Sequence, residues 1–334
     1  MLIPFNAQRL VKLDFHGENQ YLVVTHMEPL QDALARGQVQ PSTPVLLTTR
    51  NDTQVVFQTR HFSLYNVMQG EVGGQPWMAT FCAICNGGTS FSPVIEGKVY
   101  TFYSAGFYDA MTLLADHQTG SYWNHITGEC VAGALKGIRL ELLANLLHTQ
   151  AGQVSENHPQ ALLAITSLDP AQAPLDALAE SIRTEPEPAW LPGIVDAEMV
   201  EDMRLPRLEM GLGVWTKSTA RFYRFKQLHA LDNLLFDEID GEQFLIYVDP
   251  DTLTPTALFT DATSARFRGD TLLLDNGQSI RRGVLIQSGE PQPMKLPLQL
   301  FQRWYGFSIT FPGCQIYTTA RNAQINQPEP VPSP

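Results

Sequence analysis

The segment VGGQPWMATFCAICNGGTSF, residues 72–91, carries the pattern that decides the fold. A Gly-Gly turn is followed by the apolar run PWMATF (76–81), and a second Gly-Gly pair follows soon after. Short runs of Val, Thr and aromatic residues between turn residues predict β-strands joined by tight turns. The same pattern recurs in YLVVT (21–25), PVLLTT (44–49), TQVVFQT (53–59), VYTFYS (99–104), FLIYVD (244–249), TLLLD (271–275) and GVLIQS (283–288).

Helical patterns are fewer and shorter than the strand patterns. Leu and Ala at helical spacing predict helices in EPLQDALARG (28–37), LELLANLLHTQAG (140–152) and DALAESIRT (176–184). The acidic, Pro-rich run EPEPAWLP (185–192) predicts a linker or an extended crossing segment. The fold class expected from these patterns is therefore β-rich α+β, with mostly antiparallel sheets and a few short helices.

A weak internal repeat divides the chain into two similar halves. Aligning the two halves places Gly74 opposite Gly241 and Asp116 opposite Asp275. The predicted organisation follows from this alignment and from the Pro-rich runs. It consists of an N-terminal segment, a first β-rich repeat with both paired cysteines, a helical and Pro-rich connector, a second β-rich repeat and a disordered tail, at residues 1–40, 41–150, 151–204, 205–325 and 326–334.

Composition excludes several classes of function. The chain of 334 residues has a formal net charge of −12, which disfavours binding to nucleic acid because phosphate backbones repel acidic surfaces. The N-terminus lacks the basic and apolar regions of a signal peptide, and no apolar run approaches the ~20 residues that span a bilayer. We therefore expect a cytoplasmic protein without a membrane partner. Four cysteines are too few for a disulfide framework in a chain of this size.

Cys82 and Cys85 form a Cys-x-x-Cys pair, and metal binding is one interpretation of it. Thioredoxin-like exchange is disfavoured because Gly87 and Gly88 follow at once, where that chemistry needs a helix. Structural zinc needs four ligands. The further ligands would come from His117, His125, Cys130 or the distant Cys314, or from the same two cysteines of a second chain in a homodimer. Copper(I) favours thiolates and accepts fewer ligands.

Two other interpretations of the thiol pair stay open. In the first, Cys82 and Cys85 perform redox or transfer chemistry, with His125 or His117 as the nearby base. In the second, both are small apolar residues packed at a strand end, because free cysteine is among the most buried residue types. The sequence alone does not choose between these interpretations.

Three further residues are candidates for a site around the thiols. Asp116 and Trp123 lie in LADHQTGSYW (114–123), which predicts a β-turn but also fits a pocket wall. In the pocket interpretation Asp116 is an acid or ligand anchor, and Trp123 stacks on a ligand. Asn86, directly after the second thiol, is a further candidate for ligand binding.

Several of these motifs occur in the same order in a known family. Residues 51–143 resemble the domain of unknown function 3179 family in Gly73-Gly74, TFCAICN (80–86), DHQTGSYW (116–123) and ITGECVAGALKGIRLELL (126–143). The resemblance implies a β-rich fold and brings no established activity. Tyr65 and Asn66 stand where many members have His-Glu, and Ala83 stands where Pro is usual, so this chain resembles a divergent member.

Two functions are consistent with the sequence. The first is a thiol-dependent site at Cys82 and Cys85 that binds zinc or copper, or that performs small redox or transfer chemistry on a small molecule. His125 and Asp116 would support this site. The alternative is a non-catalytic binding module in which the cysteines are structural.

Overall fold

A computed structural model describes residues 5–12, 21–50, 52–166 and 201–318. Strands dominate, and most neighbouring strands are antiparallel, so the predicted β-rich α+β class is confirmed. The sequence features predicted at 176–184, 185–192 and 326–334 lie outside the described residues.

The first sixteen strands lie before residue 167. They are β1 (Leu10–Val11), β2 (Leu22–Pro29), β3 (Pro44–Arg50), β4 (Thr53–Gln58), β5 (Val67–Val72), β6 (Gln75–Cys82), β7 (Gly87–Ser92), β8 (Val94–Ile95), β9 (Lys98–Val99), β10 (Phe102–Tyr108), β11 (Met111–Asp116), β12 (Tyr122–Asn124), β13 (Cys130–Ala132), β14 (Glu141–Asn145), β15 (Leu147–Gln150) and β16 (Leu162–Thr166). They build a nine-stranded sheet in the order β14-β7-β6-β5-β2-β16-β4-β3-β15 and a five-stranded sheet in the order β1-β10-β11-β12-β13. Strands β8 and β9 form a separate pair.

The remaining strands follow residue 209. They are β17 (Met210–Trp215), β18 (Ala220–Arg224), β19 (Leu234–Ile239), β20 (Glu242–Val248), β21 (Pro255–Phe259), β22 (Ala265–Arg268), β23 (Thr271–Leu274), β24 (Gln278–Arg281), β25 (Val284–Gln287), β26 (Glu290–Gln292), β27 (Leu298–Arg303) and β28 (Gln315–Ile316). They form three sheets in the orders β27-β17-β18-β28, β19-β20-β21 and β22-β23-β24-β25-β26.

The helices are short and lie between strands. The α-helices of the described residues are Leu30–Ala35, Phe62–Tyr65, Ala151–Asn157, Phe225–Ala230 and Trp304–Thr310, and two 3-10 turns lie at Ala7–Arg9 and Thr59–His61. None of the described helices is long and apolar enough to cross a membrane.

The predicted helix at 140–152 is wrong over most of its length. The segment forms β14 and β15, and the helix begins only at Ala151. Strand β14 pairs with β7, and β15 pairs with β3, so each covers an edge of the large sheet. Hydrogen bonding along these two edges outweighs the helical spacing of the leucines, because intrinsic propensity is weak against tertiary pairing.

Two hairpins show how the turn residues set the register. Gly73 and Gly74 have φ angles of 56° and 75° between β5 and β6. Asp240 and Gly241 have φ angles of 54° and 84° between β19 and β20. Positive φ at both central residues matches the right-handed twist of a two-residue hairpin. The hairpins occupy the aligned positions of the two predicted halves. Duplication itself, and the domain boundaries drawn from it, stay predictions.

The C-terminal strand β27 and the helix after it pack against the loop that carries the thiols. The backbone N–H of Arg303 donates to the Cys85 carbonyl at 2.9 Å. The Asn86 side chain donates to the Phe301 carbonyl at 2.8 Å. The Tyr305 hydroxyl donates to the Ala110 carbonyl at 3.0 Å. Elements from before residue 167 and from after residue 200 therefore enclose the thiol pair.

Candidate metal centre

Cys82, Cys85 and His125 form a compact cluster. One ligand atom of each, the two Sγ atoms and a ring nitrogen, lie within 4.8 Å of one another. The Cys85 Sγ is 3.7 Å from the His125 Nε2. All three residues are fully buried. Among the residues that the structure describes, this is the one group of three or more His, Cys, Asp or Glu side chains spaced to hold a metal ion.

The hairpin between β6 and β7 brings the two thiols together. Cys82 is the last residue of β6 and pairs with Gly87, the first residue of β7. The four residues between them turn back, and Asn86 takes a left-handed φ of 59°. The Cys85 backbone N–H therefore points at the Cys82 Sγ, at 3.4 Å. A backbone donor aimed at sulfur stabilises a thiolate.

His125 is held over the same hairpin by its backbone. Its carbonyl accepts hydrogen bonds from the Thr80 hydroxyl at 2.7 Å and the Thr89 hydroxyl at 2.9 Å. The Asn124 side chain accepts from the backbone N–H of Ile126 at 2.8 Å and shapes the turn at His125. Thr80 and Cys82 lie on one face of β6 because side chains alternate along a strand. The two threonine hydroxyls thus hold His125 beside the Cys85 thiol.

The two thiols differ in acidity. Burial raises the pKa of Cys82, but hydrogen bonds from Cys85 and Thr112 outweigh it and lower the pKa from 9.0 to about 6. Cys85 makes the larger contribution, and the Thr112 hydroxyl acts from beyond normal hydrogen-bond distance. Burial raises the pKa of Cys85 well above 9.0, and the adjacent Cys82 adds to that increase. Without a metal, the pair therefore favours one thiolate and one thiol.

His125 is neutral around physiological pH. Burial lowers its pKa from 6.5 to about 4, and the backbone of Thr112 and Gly87 opposes part of this shift. A neutral imidazole keeps a lone pair for coordination, as a metal ligand requires.

The distance between the Cys85 sulfur and the His125 nitrogen fits coordination of one ion. Zinc binds sulfur at about 2.3 Å and nitrogen at about 2.0–2.1 Å, so ligand atoms of a tetrahedral site lie about 3.6–3.8 Å apart. The 3.7 Å separation of the Cys85 Sγ and His125 Nε2 matches this spacing. Two thiolates with one imidazole also suit copper(I), which prefers soft ligands.

The helix Trp304–Thr310 closes the cluster from the C-terminal part of the chain. A Cβ at Gly306 would lie 2.9 Å from the Cys85 Cβ, so only glycine allows this approach. Burial raises the pKa of Tyr305, and the charges of Cys85 and Cys82 contribute to that increase. These residues were not found from the sequence, because they are more than 200 positions away and carry no recognisable motif.

Asp116 and Trp123 pair with each other, not with the thiols. The Trp123 indole N–H donates to the Asp116 Oδ2 at 2.9 Å, and the Thr119 N–H donates to the Asp116 Oδ1 at 2.6 Å. Asp116 lies four residues after Thr112 on β11, about 13 Å further along the strand. Asp116 therefore ends β11 before a turn, Trp123 lies in β12 after it, and their roles as acid and ligand contact stay predictions.

The other predicted residues are also placed outside the cluster. Asn86 ties the hairpin to β27 through its side chain. His117 is exposed and lies against Tyr103, with ring centroids 4.5 Å apart. Cys130 lies in β13 and pairs with Trp123 of β12, and Cys314 is buried elsewhere, outside the cluster. A homodimer that shares one ion stays a prediction, although both thiols are already enclosed within one chain.

Asn66 performs a structural task at the position where the resemblance expects Glu. It ends the helix Phe62–Tyr65 with a left-handed φ of 57°. Its side-chain amide donates to the carbonyls of Phe62 and Phe81, each at 3.2 Å, and its Oδ1 accepts from the Ser104 hydroxyl. Asn tolerates this backbone conformation better than Glu does.

A larger cleft lies beside the cluster and was not found from the sequence. Its volume is about 800 Å³. Neither cysteine nor His125 lines it, but Ile126, the residue after His125, does. Its wall is mostly apolar and comes from both parts of the chain, including Leu142, Val214, Trp215, Phe244, Phe259 and Leu298.

Comparisons with known proteins identify a family and no characterised relative. Searches of curated proteins and of solved structures find no match to this chain. A family model described as "Protein of unknown function (DUF3179)" matches residues 24–280, which include the whole cluster and most of the strands. The chain therefore belongs to the DUF3179 family.

Proposed function

We propose that this protein holds one zinc or copper ion through Cys82, Cys85 and His125. The observation that carries the proposal is the meeting of two thiols and a neutral imidazole within 4.8 Å, all fully buried. Packing alone explains buried cysteines, but it does not require a buried histidine nitrogen to face them. The lowered pKa of Cys82 supports the proposal further, because a thiolate is the form that binds metal.

Small redox chemistry of the same pair remains part of this proposal. Cys82 is the thiol that ionises first, and the Cys85 backbone N–H donates to its Sγ at 3.4 Å. Oxidation of the Cys82 thiolate and the Cys85 thiol to a disulfide would transfer two electrons to an external small-molecule oxidant and release one proton. Full burial restricts such an oxidant to small molecules, and a bound metal would protect both sulfurs.

The proposal is tested by the metal content of protein loaded with Zn(II) or Cu(I) under reducing conditions. We expect one ion per chain after removal of loosely bound metal. Half an ion per chain would indicate a site shared by two chains. No retained metal, with all four thiols reduced, would contradict the proposal.

The stability of the metal-free protein should decrease between pH 6.5 and pH 4 because of His125. Its folded pKa, about 4, lies below its ordinary value of 6.5. The unfolded chain therefore binds more protons in this window, so the stabilisation is complete above pH 6.5 and is lost as the pH falls through 4. Urea denaturation of the wild type and of His125→Gln across this window measures the difference. Parallel pH dependences would contradict the prediction.

The second candidate function is a binding module that uses the 800 Å³ cleft. Its apolar wall and size are typical of a site for a small apolar ligand. Leu298 lines the cleft and is 36% exposed, so Leu298→Asp should weaken binding of the apolar dye anilinonaphthalene sulfonate without unfolding the protein. Leu253, 58% exposed and outside the cleft lining, supplies the matched control Leu253→Asp. Equal dye binding by both variants would exclude the cleft as the dye site.

A further inference from the structure

Polar atoms without partners surround the cluster. The Gln302 Nε2 and Oε1, the Thr112 Oγ1 and the His125 Nδ1 are buried and have no hydrogen-bond partner among the described residues. Gln302 and His125 are fully buried, and Thr112 is 2% exposed. Native proteins rarely bury amide or hydroxyl groups without partners, and such atoms commonly mark a bound water, ion or ligand.

The register of the hairpin places the Gln302 amide beside the thiol. Gly87 pairs with Cys82, and residues directly opposite in an antiparallel pair project to the same face with Cβ positions about 4.5–5.5 Å apart. A Cβ at Gly87 would overlap the Gln302 side chain, with its Cδ only 3.3 Å away. The Gln302 amide therefore packs over Gly87, on the same face of the sheet as the Cys82 side chain on the neighbouring strand.

Thr112 approaches the same place from another sheet. It lies on β11 and is near enough to both Cys82 and His125 to influence their pKa values. Its hydroxyl is buried and has no partner at normal hydrogen-bond distance among the described residues. Gln302 and Thr112 thus offer unused donors and acceptors beside the cluster.

Three protein ligands leave one position of a tetrahedral ion open. Structural zinc sites take four protein ligands, whereas catalytic sites take three and bind water or substrate at the fourth position. Arg303 lies next to Cys85 in the fold, since its backbone N–H donates to the Cys85 carbonyl at 2.9 Å.

We propose that the metal centre has an open position for a small ligand that binds through oxygen or nitrogen, and that Gln302 and Thr112 hydrogen-bond to it. This inference rests on the proposed metal centre. Water occupies the position at rest, and a small anion replaces it. The centre is therefore of the exchangeable type found in metalloenzymes, not a closed structural site.

Cobalt(II)-substituted protein allows a test by visible absorption, because the spectrum of cobalt(II) changes with its ligands. Azide is the probe. In the wild type, titration with azide should shift the cobalt spectrum with saturation. In Gln302→Leu, cobalt affinity should be unchanged and the azide Kd should rise about tenfold, as expected for one lost hydrogen bond. Thr112→Val, which replaces the hydroxyl by a methyl group of similar size, should also weaken azide binding.

Gln299→Leu is the matched control. Gln299 is a buried glutamine on the same strand, but its amide bonds with the Ala257 backbone, at 2.8 Å for both donor and acceptor. Gln299→Leu should therefore destabilise the metal-free protein and leave the azide Kd of the folded cobalt form unchanged. Gln302→Leu should not lower stability in the metal-free form, because its amide makes no hydrogen bond to the described residues.

The outcomes distinguish a failure of this inference from a failure of the proposed metal centre. If the wild type does not bind cobalt(II), the metal centre itself fails. If cobalt binds but azide leaves the spectrum unchanged, the open position is wrong. If Gln302→Leu weakens cobalt binding and leaves the azide Kd unchanged, the glutamine orients His125 and does not contact the ligand, which also overturns the inference.

Discussion

Replacing Cys82 or Cys85 by serine is expected to weaken Zn(II) binding by roughly a hundredfold or more. The serine hydroxyl does not ionise at neutral pH and is a poor ligand for either zinc or copper(I). The remaining cysteine and His125 would supply only two protein ligands. Competition with a chromophoric chelator gives the affinity of each variant. His125→Gln should weaken binding in the same direction.

The chain supplies matched controls for these variants. Cys130 and Cys314 are also buried and reduced, but they lie outside the cluster. Cys130→Ser and Cys314→Ser should therefore retain the zinc affinity of the wild type, and so should His117→Gln. Equal losses in all four cysteine variants would indicate a general effect of burying serine, and the assignment of the cluster would then be wrong.

Asp116→Ala is expected to lower the free energy of unfolding by about 3 kcal/mol, because it leaves a buried indole N–H without its acceptor. The Asp116 carboxylate is fully buried and accepts from Trp123 and from the Thr119 N–H and hydroxyl. Urea denaturation measures the change. Zinc affinity of the folded variant should equal that of the wild type, since Asp116 lies away from the cluster along β11.

Asp275→Ala is the control for this prediction. Asp275 is aligned with Asp116 in the predicted repeat and also accepts from a threonine, Thr263, but it is exposed. Its loss should therefore affect stability much less. A stable Asp116→Ala protein that has lost metal binding would contradict the structural role and would support the catalytic role predicted from the sequence.

The strand pattern was predictable because it depends on local chemistry. Gly73 and Gly74 sit between alternating apolar runs, and the hairpin they predict is present with the expected positive φ angles. The segment 140–152 shows the limit of this approach. Its leucines fit a helix equally well, and only the edges offered by β3 and β7 decide for strands.

The cluster was only partly predictable. The spacing of Cys82 and Cys85 marks the thiol pair, and His125 was one of two histidines that could join it. Its selection over His117 depends on Thr80 and Thr89, whose hydroxyls hold the His125 carbonyl across the sheets. Such long-range contacts leave no trace in the local sequence.

The contribution of β27 was beyond prediction for the same reason. Gln302 looks like an ordinary polar residue of a strand, and only its complete burial makes its unpaired amide notable. Gly306 likewise gives no signal until the structure places it against Cys85. The segment between Asp116 and Trp123 was predicted to contain a turn, and the structure has one. The hydrogen bonds of Asp116 to Thr119 and to Trp123 account for both side chains.

X-ray absorption spectroscopy of the zinc-loaded wild type tests the central claim most directly. The proposed centre predicts two sulfur neighbours at about 2.3 Å and at least one nitrogen at about 2.0–2.1 Å, with the scattering pattern of an imidazole. Four sulfur neighbours would indicate an ion shared by two chains. A shell of oxygen and nitrogen without sulfur would contradict the account, because neither Cys82 nor Cys85 would then bind the metal.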